Sequence, residues 1–261
     1  MKLNKFGSIA GSIALVAAHG LAVAGPISYS EKTCTAGGTT TSVIHCAANA
    51  GGTSYGATVT AWSAQNTGTF KSASMTYYAG SGIGIHSEKE SSANPQHAMD
   101  NNGATEAILV NFGSANFALD QVSIGWRSGD ADVSILRYTG ASAPLLTNSM
   151  MSNLKSTEGW EWMGDFSTLT PGTALSFNNT GEVKTASWWL ISAYNTAYSG
   201  QPSSIGFGNN NDYFKLSGFG GSIVTPPPPP PPADVPEPGT FALVGIALLG
   251  FAAARRKSKA M

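Results

Sequence analysis

The sequence predicts an all-β fold: an antiparallel, jelly-roll-like β-sandwich body, with an N-terminal signal helix before it and a single C-terminal transmembrane helix after it. Three observations point there. Apolar residues in the body recur with period two, which a half-buried strand requires, and nowhere with a sustained helical period. Clusters of Gly, Asn, Asp, Ser and Pro separate these runs at short spacing. Only 11% of the 261 residues are charged while 31 are glycine, which excludes a coiled coil and a highly charged disordered chain.

Taken in order, residues 47–51 read as a poor strand, and 57–62 alternate as a strand does. The glycine-rich stretch 80–84 reads as a loop or bulge. Ile108, Val110 and Phe112 alternate with Ala107, Leu109 and Asn111, and Val122, Ile124 and Trp126 with Gln121, Ser123, Gly125 and Arg127. Another strand spans 133–138. A short helix is predicted around 143–152. Trp188-Trp189-Leu190-Ile191 is apolar on both faces and so belongs at the centre of a sheet. Tyr213 to Leu216 reads as the last strand. Turns fall at Ser128-Gly129-Asp130, Thr139-Gly140, Pro171-Gly172, Asn179-Thr180-Gly181 and 208–211. The folded body, residues 25–224, is long enough to bury a sizeable core. No internal repeat argues for a solenoid or propeller.

Both ends carry targeting chemistry. Lys2 and Lys5 precede the mostly apolar stretch 9–23, and Ala22-Val23-Ala24 places small residues at a cleavage site. Residues 1–24 are therefore read as a secretory signal peptide. At the other end, 225–234 is a linker with seven consecutive prolines, a polyproline II spacer of about 22 Å. Then come Val235-Pro236-Glu237-Pro238, an apolar segment read as a transmembrane helix over 240–254, and Arg255-Arg256-Lys257. A basic cluster there belongs on the cytoplasmic side and sets the body outside.

This order of parts over 235–261 resembles the PEP-CTERM sorting signal, with Pro236, Glu237 and Pro238 as its motif. The resemblance implies an exosortase, a membrane-embedded cysteine transpeptidase, as partner. It also implies an inner-membrane precursor with its body on the periplasmic side, then delivery to the surface of an exopolysaccharide-making Gram-negative bacterium. Residues 95–101, 107–112, 119–126, 188–195 and 211–216 are similar to one subgroup, the exosortase-dependent surface proteins of the first type. The subgroup brings no settled activity with it.

Charge narrows the partners. Between residues 25 and 234 stand eight basic and fourteen acidic residues, a net −6, which is no footprint for nucleic acid. Cys34 and Cys46 are the only cysteines. In an exported chain they read as a disulfide closing a loop of about 13 residues, contributing roughly 3 kcal/mol. The alternatives are free thiols, or a catalytic cysteine paired with His45, His86 or His97.

Motifs for catalysis are weak. His86-Ser87-Glu88 is half of a zinc-deaminase signature whose second half is absent. Gly52-Thr53-Ser54-Tyr55-Gly56 has the letters of a nucleophile elbow, but no helix pattern follows it. Glu158, Glu161 and Asp165 are carboxylates near tryptophans, the minimum for a glycosidase. Trp160 and Trp162 flank Glu161 and share one face of a strand, an arrangement that suits stacking on sugar rings or simple core packing. No cofactor is called for, except that Asp100 and Asn101, next to His97, suit a structural calcium; the competing reading is an Asx turn. Asp130-Ala131-Asp132 poses the same choice.

The sequence therefore reads as a non-enzymatic surface or extracellular-matrix protein, exported through the secretion translocon and signal peptidase, processed by an exosortase and linked to exopolysaccharide or biofilm. The alternatives are a carbohydrate-binding module with structural calcium, and a secreted polysaccharide-active hydrolase.

Overall fold

Alternating burial along the strands places two sheets face to face. The computed structural model describes residues 22–23, 25–35, 40–65, 68–88, 97–113, 116–199, 206–208, 211–225, 244–249 and 255. In chain order the elements begin with β1 (Ala22–Val23), β2 (Ile27–Ser30), β3 (Cys34–Thr35), β4 (Val43–Ala50), β5 (Thr53–Ala64) and β6 (Phe70–Ser72). They continue with β7 (Ser74–Tyr78), β8 (Gly82–His86), β9 (Met99–Asp100), β10 (Thr105–Asn111), β11 (Phe117–Arg127) and β12 (Val133–Tyr138). Then follow α1 (Met151–Thr157), β13 (Trp160–Phe166), β14 (Ala174–Ser176), β15 (Trp188–Ala193), α2 (Thr196–Ser199) and β16 (Tyr213–Thr225).

The first sheet runs β14-β11-β16-β8-β7, with β1, β2 and β9 also paired to β16. The second runs β13-β12-β15-β10-β5-β4-β3, with β6 on β5. The pairings between these strands are antiparallel. Ile108, Val110, Trp189 and Ile191 of the second sheet meet Val122, Ile124, Phe214 and Leu216 of the first in the main core. The opposite face of the second sheet is covered as well. Leu109, Leu136 and Leu190 pack there under Leu146, Met151, Leu154 and Tyr198. This is why 188–191 is apolar on both faces: β15 lies between β10 and β12, with core on either side.

Several local expectations change. Residues 43–50 form a full strand despite their alanines, because Ile44, Cys46 and Ala48 point inward while His45 and Ala47 face out. Gly82 to His86 is strand β8, in a hairpin with β7. The helix starts at Met151 rather than 143. Pro144 and the left-handed Asn148 (φ 67°) bar an earlier start. The last strand extends to Thr225 through a glycine-rich stretch. A Cβ on Gly221 would lie 1.9 Å from the Ala118 carbonyl oxygen, so only glycine lets β16 run this close to β11.

Cys34 and Cys46 are disulfide-bonded across the β3–β4 pair. Leu21–Thr225 forms one compact unit. The predicted signal helix lies outside the described residues except at Ala22 and Val23, which are strand and pair with Thr225 and Val224. Of the predicted transmembrane helix, 244–249 are described and helical. Among the described residues no helix is long and apolar enough to cross a membrane.

Candidate functional site

The β12–β13 pair holds the predicted aromatic group. Trp160 is 3% exposed and packs on Tyr138 with ring centroids 5.1 Å apart, so it has no free face for a sugar ring. Trp162 is half-buried; its Nε1 donates to Asp165 Oδ1 at 3.1 Å, and Lys155 Nζ lies 5.6 Å from its ring centre. Glu161 points away from both. It accepts from Arg137 Nε at 2.9 Å and pairs with Lys184. Burial raises its pKa, but the bonds from Lys184 and Arg137 outweigh that and hold it below the ordinary carboxylate range. Asp165 also accepts from Ser134 Oγ at 2.7 Å, and burial pushes its carboxyl up.

A second group forms where the 128–132 connection crosses from β11 in the first sheet to β12 in the second. One carboxylate oxygen each of Asp130, Asp132 and Asp212 lies within 4.8 Å of the other two. Asp132 and Asp212 are fully buried and Asp130 half-buried. The backbone sets this up. Tyr213 N donates to Asp130 O at 3.1 Å and Ser128 N to Tyr213 O at 3.0 Å, drawing the turn against the start of β16. Asp132 N donates to Asp212 Oδ1 at 2.7 Å. Asn101 Nδ2 donates to Asp212 Oδ2 at 2.5 Å, and Asp212 N returns a bond to Asn101 Oδ1 at 3.1 Å. Asp132 Oδ1 accepts from Thr168 N at 2.7 Å. Thr168 sits at φ 56°, a conformation that β-branched residues seldom adopt, and its amide reaches Asp132 from there.

Asp132 Oδ2 is buried and has no hydrogen-bond partner. Among the described residues, no lysine, arginine or histidine pairs with any of the three carboxylates. Burial pushes the Asp132 carboxyl up to about 6; the Thr168 amide lowers it, the Asp130 charge raises it, and the Gly208 amide lowers it without meeting Oδ2 in hydrogen-bond geometry. Burial pushes Asp212 up to about 7, against the amide of Asp132 and with the charges of Asp132 and Asp130.

Asp100 and Asn101 sit beside this group without being among its clustered oxygens. Asp100 Oδ1 accepts from Asn102 N at 2.9 Å, an Asx turn. Asn101 acts as the brace for Asp212 and also donates to Tyr194 O at 3.0 Å. Asp130 and Asp132 were visible in the sequence as a pair. Asp212, 80 residues beyond Asp132, was not, because only the pairing of β16 with β11 brings it there.

A cleft of about 450 Å³ opens nearby, lined by Gln65, Asn101, Thr105, Ser152 and Asn195 among others. Asn195 is engaged there, its Nδ2 donating to Thr105 Oγ1 at 2.7 Å and its Oδ1 accepting from Ala197 N at 2.9 Å, whereas Gln65 Oε1 is buried with no hydrogen-bond partner. Ser54 of the elbow-like motif is exposed on the β4–β5 hairpin, opposite Asn49.

Val235, Pro236, Glu237, Pro238, Arg256 and Lys257 lie outside the described residues, and Arg255 is helical and exposed. Residues 234–257 match the PEP-CTERM protein-sorting motif. No curated protein and no solved structure matches the chain. The motif marks a protein that has a membrane-associated precursor and is sorted through an exosortase to the cell surface.

Proposed function

We propose that the protein is a non-enzymatic component of the cell surface or extracellular matrix, associated with exopolysaccharide. The observation that carries this reading is the sorting motif over 234–257, joined by a proline run to an all-β body. In this reading Pro236, Glu237 and Pro238 are the recognition element. The apolar segment after them holds the precursor in the membrane, and Arg255, Arg256 and Lys257 set its orientation. The placement of the carboxylates supports a scaffold. Glu161 is held between two cations, and Asp165 is tied to Ser134 and Trp162. A general acid or base needs a proton free to move to a substrate.

The test is processing. Glu237→Ala should leave a full-size, membrane-bound precursor in the native host, while the wild-type body is recovered at the surface or in the medium without its tail. Normal processing of the variant, or a mature wild-type protein retaining Arg255 to Met261, overturns the reading.

A further inference from the structure

We infer that Asp130, Asp132 and Asp212 form a calcium site that clips the 128–132 crossover to the start of β16. The oxygens are already convergent, one from each residue within 4.8 Å of the others, which is the spacing of ligands around one ion. Two of the three side chains are fully buried, and the Asp132 side chain carries an oxygen with no hydrogen-bond partner. A buried polar atom is nearly always satisfied, and a buried carboxylate is normally paired or bound to a metal. Here protein donors occupy one oxygen of Asp132 and both of Asp212. Those bonds fix the carboxylates in place and leave Asp132 Oδ2 without a hydrogen-bond partner.

Ligand chemistry selects the ion. The set is all oxygen, with neither His nor Cys, so it suits a hard cation rather than zinc or copper. Calcium accepts irregular carboxylate geometry at 2.3–2.6 Å, whereas magnesium demands a near-octahedral shell. Half-buried Asp130 leaves a side open for water to complete the shell. Asp130 and Asp132 come from the crossover between the sheets and Asp212 immediately precedes β16, in the middle of the first sheet, so an ion here would pin the crossover to the start of that strand. Sites in extracellular modules work at about 10⁻⁴–10⁻³ M calcium. This inference concerns the body alone and stands whether or not the sorting reading holds.

The experiment uses the full-length protein in detergent, stripped with EDTA and then titrated with CaCl₂, with MgCl₂ in parallel. Thermal unfolding and isothermal titration are read together. One ion per chain is expected, with a saturable rise in Tm of about 3 °C or more at tenfold excess over Kd. Asp130→Asn keeps the Oδ1 acceptor for the Ala131 amide and should weaken binding at least tenfold while the fold is retained. Asp132→Asn should abolish the shift. No Tm change at 10 mM CaCl₂ overturns the site. So does a calcium shift of undiminished size in Asp130→Asn, which would place the ion elsewhere. Equal stabilisation by magnesium at the same concentration overturns the choice of calcium.

Discussion

Glu161 and Asp132 are both acids on the second sheet or at its edge, and their surroundings are opposite. Glu161 lies between Arg137 and Lys184, one carboxylate against two cations, with about a third of its side chain still exposed. Asp132 is wholly buried beside Asp130 and Asp212, three carboxylates with no cation among the described residues. The first arrangement is self-contained and asks for nothing from solution. The second is complete only with bound protons or a bound cation, because like charges at this spacing cannot all ionise in a buried site. Carboxylate count therefore says little about function, whereas the balance of charge around each carboxylate says a good deal.

The largest effect should come from Asp212→Ala. It orphans the buried Asp132 amide and takes one acceptor from Asn101 Nδ2, which keeps Tyr194 O, and should cost about 2–3 kcal/mol in urea unfolding. A loss below about 1 kcal/mol would mean that water replaces the carboxylate freely. Next is Arg137→Ala, which removes one of the two cations holding Glu161 and the donor to Thr185 O; about 1–2 kcal/mol is expected.

Neutral replacements should then differ in sign between the two regions. In EDTA, Asp132→Asn keeps an acceptor for Thr168 and relieves repulsion, so stability should rise by about 1 kcal/mol. Glu161→Gln should lower it by up to about 1 kcal/mol. If both variants shift stability in the same direction, the contrast drawn between the regions is wrong.

The pH dependence follows the same division. With no ion bound, burial pushes the folded carboxyls of Asp132 and Asp212 up to about 6 and about 7, against about 3.9 in an unfolded chain. The unfolded chain ionises first, so these groups make stability fall as pH rises from about 4 to about 7. Glu161 is lowered, so its contribution is present above an unfolded value of about 4.3 and fades as pH drops through the folded value. Denaturant titrations from pH 4 to 8 should show the fall in EDTA, and Asp132→Asn should flatten it. The smallest effect is Lys184→Ala, within about 0.5 kcal/mol, since that side chain is 41% exposed.

Much of the fold could be read in advance. Residues 107–111, 121–127, 133–138 and 188–191 lie in β10, β11, β12 and β15 because strand alternation is local and strong there. Residues 47–50 read only as a poor strand, and 43–46 and 217–225 gave no strand reading, because alanine and glycine carry almost no alternation signal. They are strands because neighbouring strands accept small side chains, not because they favour extension themselves. For the aromatic pair, the sequence left sugar stacking and core packing both open. Trp160 and Trp162 do belong to one strand, β13, but the second core under α1 takes Trp160, and no pattern in 158–166 announces that cover.

Chain order alone was enough for the C-terminal signal: Pro236-Glu237-Pro238, an apolar run and a basic tail are recognised as a linear string. It was also enough for the all-β class, since a period of two is a property of neighbours along the chain. Which carboxylates share a site is a different kind of fact. Asp130 and Asp132 are adjacent by sequence, but Asp212 joins them only because β16 pairs with β11, and Asn101 reaches Asp212 only because β9 pairs with β16. Burial and charge compensation depend on what other strands bring to a point in space, and contacts over 80 and 111 residues leave no trace in local pattern.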